Sequence, residues 1–400
     1  MSGIANKSRI YLDHAATAPV LPAAIAAMAA AAAGLGNPAS VHAGGRAANA
    51  SVERARDAVA AWAGCAPDML VFTSGGTEAL ALALHGARLP PPQDAPLPHP
   101  QGARLPRLLV SATEHNAVLA ARGDAVVIGV DGTGIADLAA LAALLAPHPD
   151  RGPALVAVQH ANNETGVIQP IAEIAALVAA AGGLLLVDAV QSAGKLALPI
   201  ADFVAVSAHK LGGPPGIGAL IVRDPATLHA VQRGGGQERG FRGGTPNLPG
   251  IAGFAAAIAD AAASGAADWR PVQIRRDALE ARLRAADRRV VIHGDRAPRL
   301  PNITCIGLPG ARGGTQVMAL DLAGFMVSAG AACSSGKVAV SHVLTAMGLG
   351  AAAGDAIRVS LGPRTADAEI AAFADAWLAM AAKLAPAPAP AADADAAAQP

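Results

Sequence analysis

Residues 184–222 read LLLVDAVQSAGKLALPIADFVAVSAHKLGGPPGIGALIV, and they contain three apolar runs of the length of a buried strand. Four similar runs lie upstream, at residues 69–73, 107–112, 125–130 and 154–158. Ala- and Leu-rich stretches with a helical pattern, such as residues 171–182, separate several of these runs. Buried apolar strands that alternate with helices are typical of a parallel sheet covered on both faces. The pattern predicts an α/β protein built on a mainly parallel, seven-stranded sheet.

The length of the chain predicts more than one structural unit, because 400 residues exceed what a single hydrophobic core usually supports. We expect a large domain at residues 15–259 and a smaller α/β domain at residues 260–384. Residues 1–14 are expected to form an N-terminal arm that packs with the small domain. The Pro-rich residues 89–106 predict a surface insertion loop, and the Ala/Pro-rich residues 385–400 predict a disordered tail.

Composition and charge narrow the class of partner. Hydrophobic residues make up 53% of the chain, and 30 basic residues balance 30 acidic ones. A net charge of zero gives no field that would attract nucleic acid or an anionic membrane, and six Phe, three Trp and one Tyr offer little for stacking on bases. The apolar residues 174–187 number about 14, fewer than the ~20 that a spanning helix needs. We expect small molecules or other proteins as partners, and neither nucleic acid nor a membrane.

The cysteines and the N-terminus indicate the cellular compartment. Cys65, Cys305 and Cys333 are few, odd in number and without the spacing of a zinc site. Such a set argues against a disulfide framework and favours a reducing compartment. The N-terminal residues carry no secretory pattern. The sequence predicts a cytoplasmic protein without a metal site.

A carboxylate and a lysine follow two successive strands of the predicted sheet. Asp188 ends one apolar run, and the next run ends in the residues Ser207, Ala208, His209 and Lys210. Ligands of such sheets bind beyond the carboxyl ends of strands. A lysine that forms a Schiff base and a carboxylate that keeps a pyridine nitrogen protonated are what pyridoxal phosphate requires. An ordinary exposed lysine and a helix-capping Asp are the alternative, but the neighbouring polar residues and the Gly/Pro-rich loop after Lys210 favour a cofactor site.

A phosphate group needs a cradle of backbone N–H groups, and VFTSGGTEALALAL (71–84) has the right form. A strand is followed by the Gly-rich residues 74–77 and by the start of a helix. Glycines allow the backbone to approach closely, and free N–H groups at a helix N-terminus bind anions. Nucleotide binding has little support, because neither a Walker sequence nor a G-x-G-x-x-G after a strand is present.

Ten motifs in this order resemble the cysteine desulfurases, in the class V branch of the fold-type-I pyridoxal-phosphate enzymes. They are YLDHAAT (11–17), GNPASVH (36–42), TSGGTEA (73–79), TEHNAVL (113–119), ANNETG (161–166), VDAVQSAGK (187–195), SAHKLGGPPGIG (207–218), GGGQERGFRGGTPN (234–247), SAGAACSSG (328–336) and IRVSLG (357–362). The resemblance covers about residues 10–383. It implies the fold-type-I architecture, a large domain with a mainly parallel seven-stranded sheet plus a smaller α/β domain.

The resemblance also implies roles toward pyridoxal phosphate. Lys210 would be the Schiff-base lysine, Asp188 would pair with the pyridine nitrogen, and His115 would stack on the ring and help to move protons. The phosphate would be bound by Gly76, Thr77, Ser207 and His209. The phenolic oxygen side of the ring would be contacted by Asn163 and Gln191. Thr245 would reach the phosphate of a partner subunit, which implies a homodimer.

The same resemblance implies a substrate and a reaction. Arg358, together with Asn163, would bind the carboxylate of L-cysteine, and the Cys333 thiolate would take the sulfur as a persulfide and leave L-alanine. The sulfur would pass to an acceptor, such as an iron–sulfur scaffold protein. A selenocysteine lyase or another class V aminotransferase is an alternative on the same scaffold. A non-catalytic cofactor-binding subunit is disfavoured, because it would need neither Lys210 nor Cys333.

Overall fold

The computed structural model describes residues 9–89, 105–148, 152–263, 268–330 and 340–384. Cys333, the tail at residues 385–400 and most of the Pro-rich segment lie outside the described residues. In the part of the chain that is described, no helix is both long and apolar enough to cross a membrane.

Twelve strands occur in the described residues. In chain order they are β1 (Ile10–Tyr11), β2 (Leu70–Thr73), β3 (Arg107–Ser111), β4 (Val126–Ile128), β5 (Ala154–Gln159), β6 (Leu184–Asp188), β7 (Phe203–Ser207), β8 (Gly218–Val222), β9 (Val291–His293), β10 (Ile303–Gly307), β11 (Phe325–Met326) and β12 (Ala356–Ser360).

Eleven α-helices of very different length accompany these strands in the described ranges. They are α1 (Pro22–Ala33), α2 (Ala43–Ala63), α3 (Gly76–Gly86), α4 (Asn116–Leu119), α5 (Leu138–Leu145), α6 (Ile171–Ala180), α7 (Leu248–Ala263), α8 (Arg270–Ala286), α9 (Gly313–Leu322), α10 (His342–Ala346) and α11 (Asp367–Leu384).

The seven strands expected from the apolar runs form one sheet in the order β2-β8-β7-β6-β5-β3-β4. Strand β8 runs antiparallel to both of its neighbours, and the other pairs are parallel. The predicted α/β class and the mainly parallel sheet are therefore confirmed. A three-stranded antiparallel sheet (β12-β10-β9) and a two-stranded parallel pair (β1-β11) lie outside this sheet. The domain bounds at residues 14 and 259 stay a prediction.

The central strands β5, β6 and β7 are buried along their whole length, which explains their uninterrupted apolar sequences. One face of the sheet packs against α3, in a cluster that includes Leu82 and Phe203. The other face packs against α6 at one end and against α2 and α7 at the other. A separate core around Trp377 and Phe373 joins α8 and α11 to β10 and β12. The helices thus cover both faces of the sheet and leave the ends of its strands uncovered.

The pairing register of β5, β6 and β7 places the ends of these three strands at the same level. Gln159 at the end of β5 is paired with Asp188 at the end of β6, and Asp188 is paired with Ala205 of β7. A 3₁₀ turn at Ala208–Lys210 follows β7 directly. The polar residues of three adjacent strands therefore meet at the carboxyl edge of the sheet.

Phe203 anchors the strand that leads to Lys210, and its removal tests this account of the core. Phe203 is 0% exposed, so Phe203→Ala should lower the free energy of unfolding by about 3–5 kcal/mol through lost burial and the cavity left behind. Urea denaturation followed by circular dichroism measures the change. Val127→Ala is the control, because Val127 lies on edge strand β4 and is 56% exposed; its effect should stay within about 0.5 kcal/mol. Equal effects of the two substitutions would contradict the packing described.

Candidate active site

A cavity of about 390 Å³ opens at the carboxyl edge of the sheet. Its lining includes ten of the residues expected at a cofactor or substrate site: Gly76, Thr77, His115, Asn163, Asp188, Gln191, Ser207, His209, Lys210 and Arg358. Cys333 lies outside the described residues. Thr245 does not line this cavity; it is exposed and borders a small separate one with Ser74 and Arg242. The structure thus brings most of the expected residues together, while their roles stay predictions.

Lys210 extends from the turn after β7 to the backbone of the N-terminal segment. Its Nζ donates hydrogen bonds to the carbonyl oxygens of Ala15 (2.6 Å) and Ala16 (2.7 Å). Burial, and secondarily the positive charge of Arg358, lowers the pKa of the Lys210 amine to about 8. A larger fraction of this amine is neutral near pH 7 than of an ordinary lysine, which suits a nucleophile.

Asp188 is a largely buried carboxyl at the end of β6, with 9% of its surface exposed. Its Oδ1 accepts a hydrogen bond of 2.9 Å from the backbone N–H of Val190. Burial raises the pKa of Asp188, although the hydrogen bond from Val190 and the nearby His115 and Lys210 oppose the shift. A carboxyl in such surroundings favours a cationic hydrogen-bond partner.

His115 caps the N-terminus of α4 and keeps a defined tautomer when it is neutral. Its Nδ1 accepts a hydrogen bond of 3.1 Å from the N–H of Ala117, so the ring proton is on Nε2. Burial lowers the pKa of His115; Asp188 opposes this shift, while Lys210 and His342 add to it. His115 therefore presents an imidazole that is mainly neutral at pH 7.

The glycine-rich turn between β2 and α3 has no room for a side chain at Gly76. A Cβ at Gly76 would lie 2.6 Å from Cγ2 of Val190, so only glycine fits there. Helix α3 begins at Gly76 and leaves N–H groups at its first turn without partners inside the helix. Thr77 and the buried Ser207 line the same part of the cavity. This combination is suited to an anion such as a phosphate.

The loop that carries Thr245 is tied to this turn by ion pairs. Arg242 Nε donates to Glu78 Oε1 at 2.7 Å, and the N–H of Ser74 donates to Glu78 Oε2 at 2.7 Å. Further along the loop, Glu238 forms a buried two-pronged pair with Arg56 at 2.8 and 2.9 Å. These contacts fix the loop relative to the glycine-rich turn within the chain.

Gln191 and His209 contact the N-terminal segment as well. Gln191 Nε2 donates to the Ala15 carbonyl at 2.8 Å, and its buried Oε1 has no hydrogen-bond partner among the described residues. His209 Nδ1 lies 3.3 Å from the Thr17 hydroxyl. Burial, with help from the Lys210 charge, lowers the pKa of His209 to about 4. His209 is therefore a neutral hydrogen-bonding group at physiological pH.

Arg358 on β12 supplies a buried guanidinium to the cavity. Its Nη2 donates to Asp13 Oδ1 at 2.7 Å, and its Nη1 donates to the carbonyl oxygen of Asn163 at 3.0 Å. Asn163, expected to help bind the substrate, thus contacts Arg358 through its backbone. A guanidinium held in this way has the fixed donor geometry that suits a carboxylate.

Several polar residues of the site were not singled out from the sequence. Glu114 is fully buried, and burial together with Asp188 raises its pKa well above the ordinary value. The backbone carbonyl oxygen of Glu114 accepts a hydrogen bond from His342 Nε2 at 2.9 Å. Glu164 Oε2 accepts one from the Ser341 hydroxyl at 2.6 Å. The TEHNAVL and ANNETG motifs contain the two glutamates, but their importance follows only from burial.

Lys195 is a second lysine with a lowered pKa. Burial, with the Lys210 charge, lowers the pKa of its amine to about 7. Its Nζ donates to the Gln191 carbonyl at 2.8 Å and lies 5.4 Å from the centre of the Trp269 ring. Lys195 lines a neighbouring cavity of about 840 Å³, whereas Lys210 lines both cavities. Position, rather than basicity, distinguishes the two amines.

The two described cysteines, Cys65 and Cys305, differ from a reactive thiol. Cys305 is buried on β10, and burial raises the pKa of its thiol. Cys65 is partly buried, and burial and Asp68 raise its pKa as well. Neither lines the cavity that contains Lys210. Both therefore favour the protonated, unreactive form.

Comparison with known proteins places the chain among relatives of one kind. The aminotransferase class-V family matches residues 10–373. A cysteine desulfurase of Cereibacter sphaeroides is 40% identical over 377 residues, which cover 90% of this chain and 93% of that protein. A solved NifS-like protein from Rickettsia africae has a TM-score of 0.80 at 31% identity, covering 92% of this chain and 98% of that chain. A structure of SspA in complex with cysteine has a TM-score of 0.71 at 26% identity, covering 89% of this chain and 100% of that chain.

These matches confirm the resemblance read from the ten motifs and the expected fold type. The shared length is nearly the whole chain, and the sheet and its cavity lie within the matched residues. The chain therefore belongs to the aminotransferase class-V family and, within it, to the cysteine desulfurases.

Proposed function

We propose that this protein removes sulfur from L-cysteine with the help of pyridoxal phosphate, producing L-alanine and a persulfide on Cys333. The observation that carries the proposal is the meeting of three groups in one cavity: the amine of Lys210, the buried carboxyl of Asp188 and the guanidinium of Arg358. The name of the Cereibacter sphaeroides relative and the solved complex of SspA with cysteine support L-cysteine as the substrate.

The residues of the cavity fit pyridoxal phosphate. The turn at Gly76, where a Cβ would collide with Val190, offers backbone donors for the phosphate, with Thr77, Ser207 and His209 close by. Lys210 would bind the cofactor covalently, and Asp188 would hold the proton of its ring nitrogen. The cofactor, when bound, supplies an electron-withdrawing ring that weakens bonds next to the amino group of the substrate.

The side chains around the cofactor site have separate tasks in this proposal. Arg358 binds the α-carboxylate of the substrate and so fixes its orientation. The neutral amine of Lys210 and the neutral imidazole of His115 accept and return protons. Asn163 and Gln191 line the same cavity and would contact the phenolic oxygen side of the cofactor ring.

Cys333 is the proposed acceptor of sulfur. Gly330, three residues before it, lines the cavity, and three residues of extended chain reach at most about 11 Å. The thiolate attacks the sulfur of the substrate; a sulfur–sulfur bond forms, the carbon–sulfur bond breaks, and the carbon that loses sulfur gains a proton in alanine. The persulfide then passes its outer sulfur to an acceptor, for which an iron–sulfur scaffold protein is the proposed class.

Quaternary structure and location complete the proposal. Thr245 lies outside the cavity of its own chain on a tethered loop, which agrees with a homodimer in which it reaches the phosphate of the second copy. A sulfur-transferring thiol requires a reducing compartment, and the sparse cysteines agree with the cytoplasm.

Replacing Cys333 tests the reaction directly. Cys333→Ser should retain the visible absorption of the bound cofactor but release neither alanine nor sulfide from cysteine, because a hydroxyl is a much weaker nucleophile than a thiolate. Mass spectrometry of the wild type after cysteine treatment should show about 32 Da, one sulfur atom, added to the Cys333 peptide. Cys305→Ser is the matched control: it should lower stability by about 1–3 kcal/mol and leave turnover largely intact. Release of alanine by Cys333→Ser at the wild-type rate would refute the proposed function.

The lysine that binds the cofactor can be identified by reduction. Borohydride treatment of the yellow holoenzyme, followed by peptide mapping, should find the cofactor on Lys210, because within the described part of the chain only this lysine lines the cavity with Asp188. Lys210→Ala should lose the modified peptide. Lys195→Met is the sharp control, since the pKa of Lys195 is also lowered, to about 7, but its position differs, and the substitution should leave labelling of Lys210 unchanged. A labelled Lys195 in the wild type would refute the assignment.

The pH dependence of cofactor uptake reports on the Lys210 amine. Covalent uptake of pyridoxal phosphate by the cofactor-free enzyme should accelerate with rising pH, with a midpoint near the Lys210 pKa of about 8, because only the neutral amine attacks. Arg358→Gln removes a positive charge that lowers this pKa, so its midpoint should move to higher pH. Stopped-flow absorbance measures the rates, and the exposed Arg312→Gln serves as control. An unchanged or lower midpoint in Arg358→Gln would contradict the electrostatic account.

A further inference from the structure

Asp13 lies where the N-terminal segment crosses the candidate active site. The segment is inserted between two C-terminal strands: the N–H of Leu12 donates to the Met326 carbonyl at 3.0 Å, and the N–H of Ser360 donates to the Leu12 carbonyl at 2.8 Å. Asp13 itself forms a parallel bridge with Ser360. The backbone that carries Asp13 is therefore fixed from both sides.

Both carboxylate oxygens of Asp13 are used, and by residues of different elements. Oδ1 accepts from Arg358 Nη2 at 2.7 Å, and Oδ2 accepts from the Ser328 hydroxyl at 2.8 Å. Arg358 and Ser328 are themselves joined by two backbone hydrogen bonds, of 2.6 and 3.2 Å. The carboxylate thus clamps a short antiparallel bridge, and its orientation is determined without any substrate.

The pair between Asp13 and Arg358 is shielded from water. Only 8% of the Arg358 side chain and 16% of the Asp13 side chain are exposed. Asp13 is the only acidic partner of Arg358 among the described residues; the other acceptor is the neutral carbonyl of Asn163. Because a shielded ion pair is screened little by salt, Asp13 has a strong influence on the direction of the guanidinium.

The same segment contacts the opposite side of the cavity. The carbonyl of Ala15 accepts from both Lys210 and Gln191, and the carbonyl of Ala16 accepts from Lys210. The carboxylate that holds Arg358 and the first carbonyl that holds Lys210 belong to Asp13 and Ala15, two positions apart in the chain. The distance between the guanidinium and the amine is therefore set by one short piece of backbone.

We propose that Asp13 is a positioning residue that aims the Arg358 guanidinium at the α-carboxylate of the substrate, so that the preference of the site for amino acids over simple amines depends on it. The inference rests on the proposed function, in which Arg358 binds that carboxylate. Asp13 touches neither the substrate nor the cofactor in this role; it acts through Arg358. Its loss should therefore weaken substrate binding more than it slows the chemical step.

Two variants of Asp13 separate orientation from simple charge compensation. Asp13→Asn keeps the size of the side chain and removes its charge; Asp13→Glu keeps the charge and moves it by one methylene. Both should raise KM for L-cysteine about 10- to 100-fold, as expected for a misplaced charge-assisted hydrogen bond, with kcat lowered much less. If Asp13→Asn fails to fold, Asp13→Glu, which retains the ion pair, decides the question alone.

The substrate series gives a readout that a structural role would not change. Cysteamine, which is cysteine without the carboxylate, cannot use Arg358, so the ratio of kcat/KM for cysteine over cysteamine should fall in both variants. Spectroscopic titration of the holoenzymes with L-alanine should show a parallel loss of affinity without turnover. Glu280→Gln is the matched control, because it breaks the buried pair between Glu280 and Arg299 (2.8 Å) away from the cavity and should change stability but not KM.

The outcomes separate this inference from the function on which it rests. A wild type that releases no alanine from cysteine would refute the proposed function, while the alanine titration would still compare the Asp13 variants. A wild type that is active, with folded variants of unchanged KM and unchanged preference for cysteine, would overturn the role of Asp13. An equal loss with cysteine and cysteamine would assign Asp13 to structure and overturn the inference as well.

Discussion

The register of three buried, parallel strands determines where the chemistry of this protein takes place. Asp188 at the end of β6 is level with Gln159 of β5 and Ala205 of β7, and Lys210 follows one turn after β7. Parallel strands place all their carboxyl ends at one edge of the sheet. Because helices cover both faces of the sheet, the polar side chains lie at this edge. A shift of β6 by one residue would turn Asp188 to the other face of the sheet. The site therefore depends on the apolar packing that enforces this register.

Burial then shifts the pKa values of the side chains at the carboxyl edge of the sheet. It is the largest cause of the shifts of Lys210, His115 and His209 to lower pKa and of Asp188 to higher pKa. Desolvation disfavours whichever form of a group is charged, so bases and acids both move toward neutrality. The N-terminal segment contributes to this environment, because its carbonyls at Ala15 and Ala16 accept hydrogen bonds from the Lys210 amine. Residues at the beginning of the chain thus tune groups that lie about 200 positions later.

The parts of the structure that the sequence predicts are those encoded locally. All seven strands of the main sheet are visible as apolar runs, and the polar residues at the ends of β6 and β7 directly follow those runs in the sequence. The antiparallel direction of β8 is not encoded in its own residues, because an apolar run does not reveal strand direction. The pairing of β1 with β11 joins Ile10 to Phe325, and no pattern in either segment indicates it.

The same limit applies within the site. The motifs predict which residues lie at strand ends, yet they do not predict that Asp13 pairs with Arg358, 345 positions away. Glu114 and Glu164 stand beside residues that the motifs select, but a carboxyl is informative only when it is known to be buried. Burial is a property of the whole fold, since it depends on segments far apart in the chain. Local sequence therefore indicates which side chains can react, and tertiary packing determines their burial and their charged partners.

Lys195 and Lys210 show why electrostatics alone does not identify a functional group. Burial lowers the pKa of both amines; the charge of Lys210 adds to the shift of Lys195, and the charge of Arg358 adds to that of Lys210, so both amines would be partly neutral near pH 7 to 8. Lys195 is held by the Gln191 carbonyl and the Trp269 ring in the neighbouring cavity. Lys210 alone lines the cavity shared with Asp188, the glycine-rich turn and Arg358. A lowered pKa makes an amine able to react, but its position relative to an acid, an anion cradle and a carboxylate-binding group determines what it can react with.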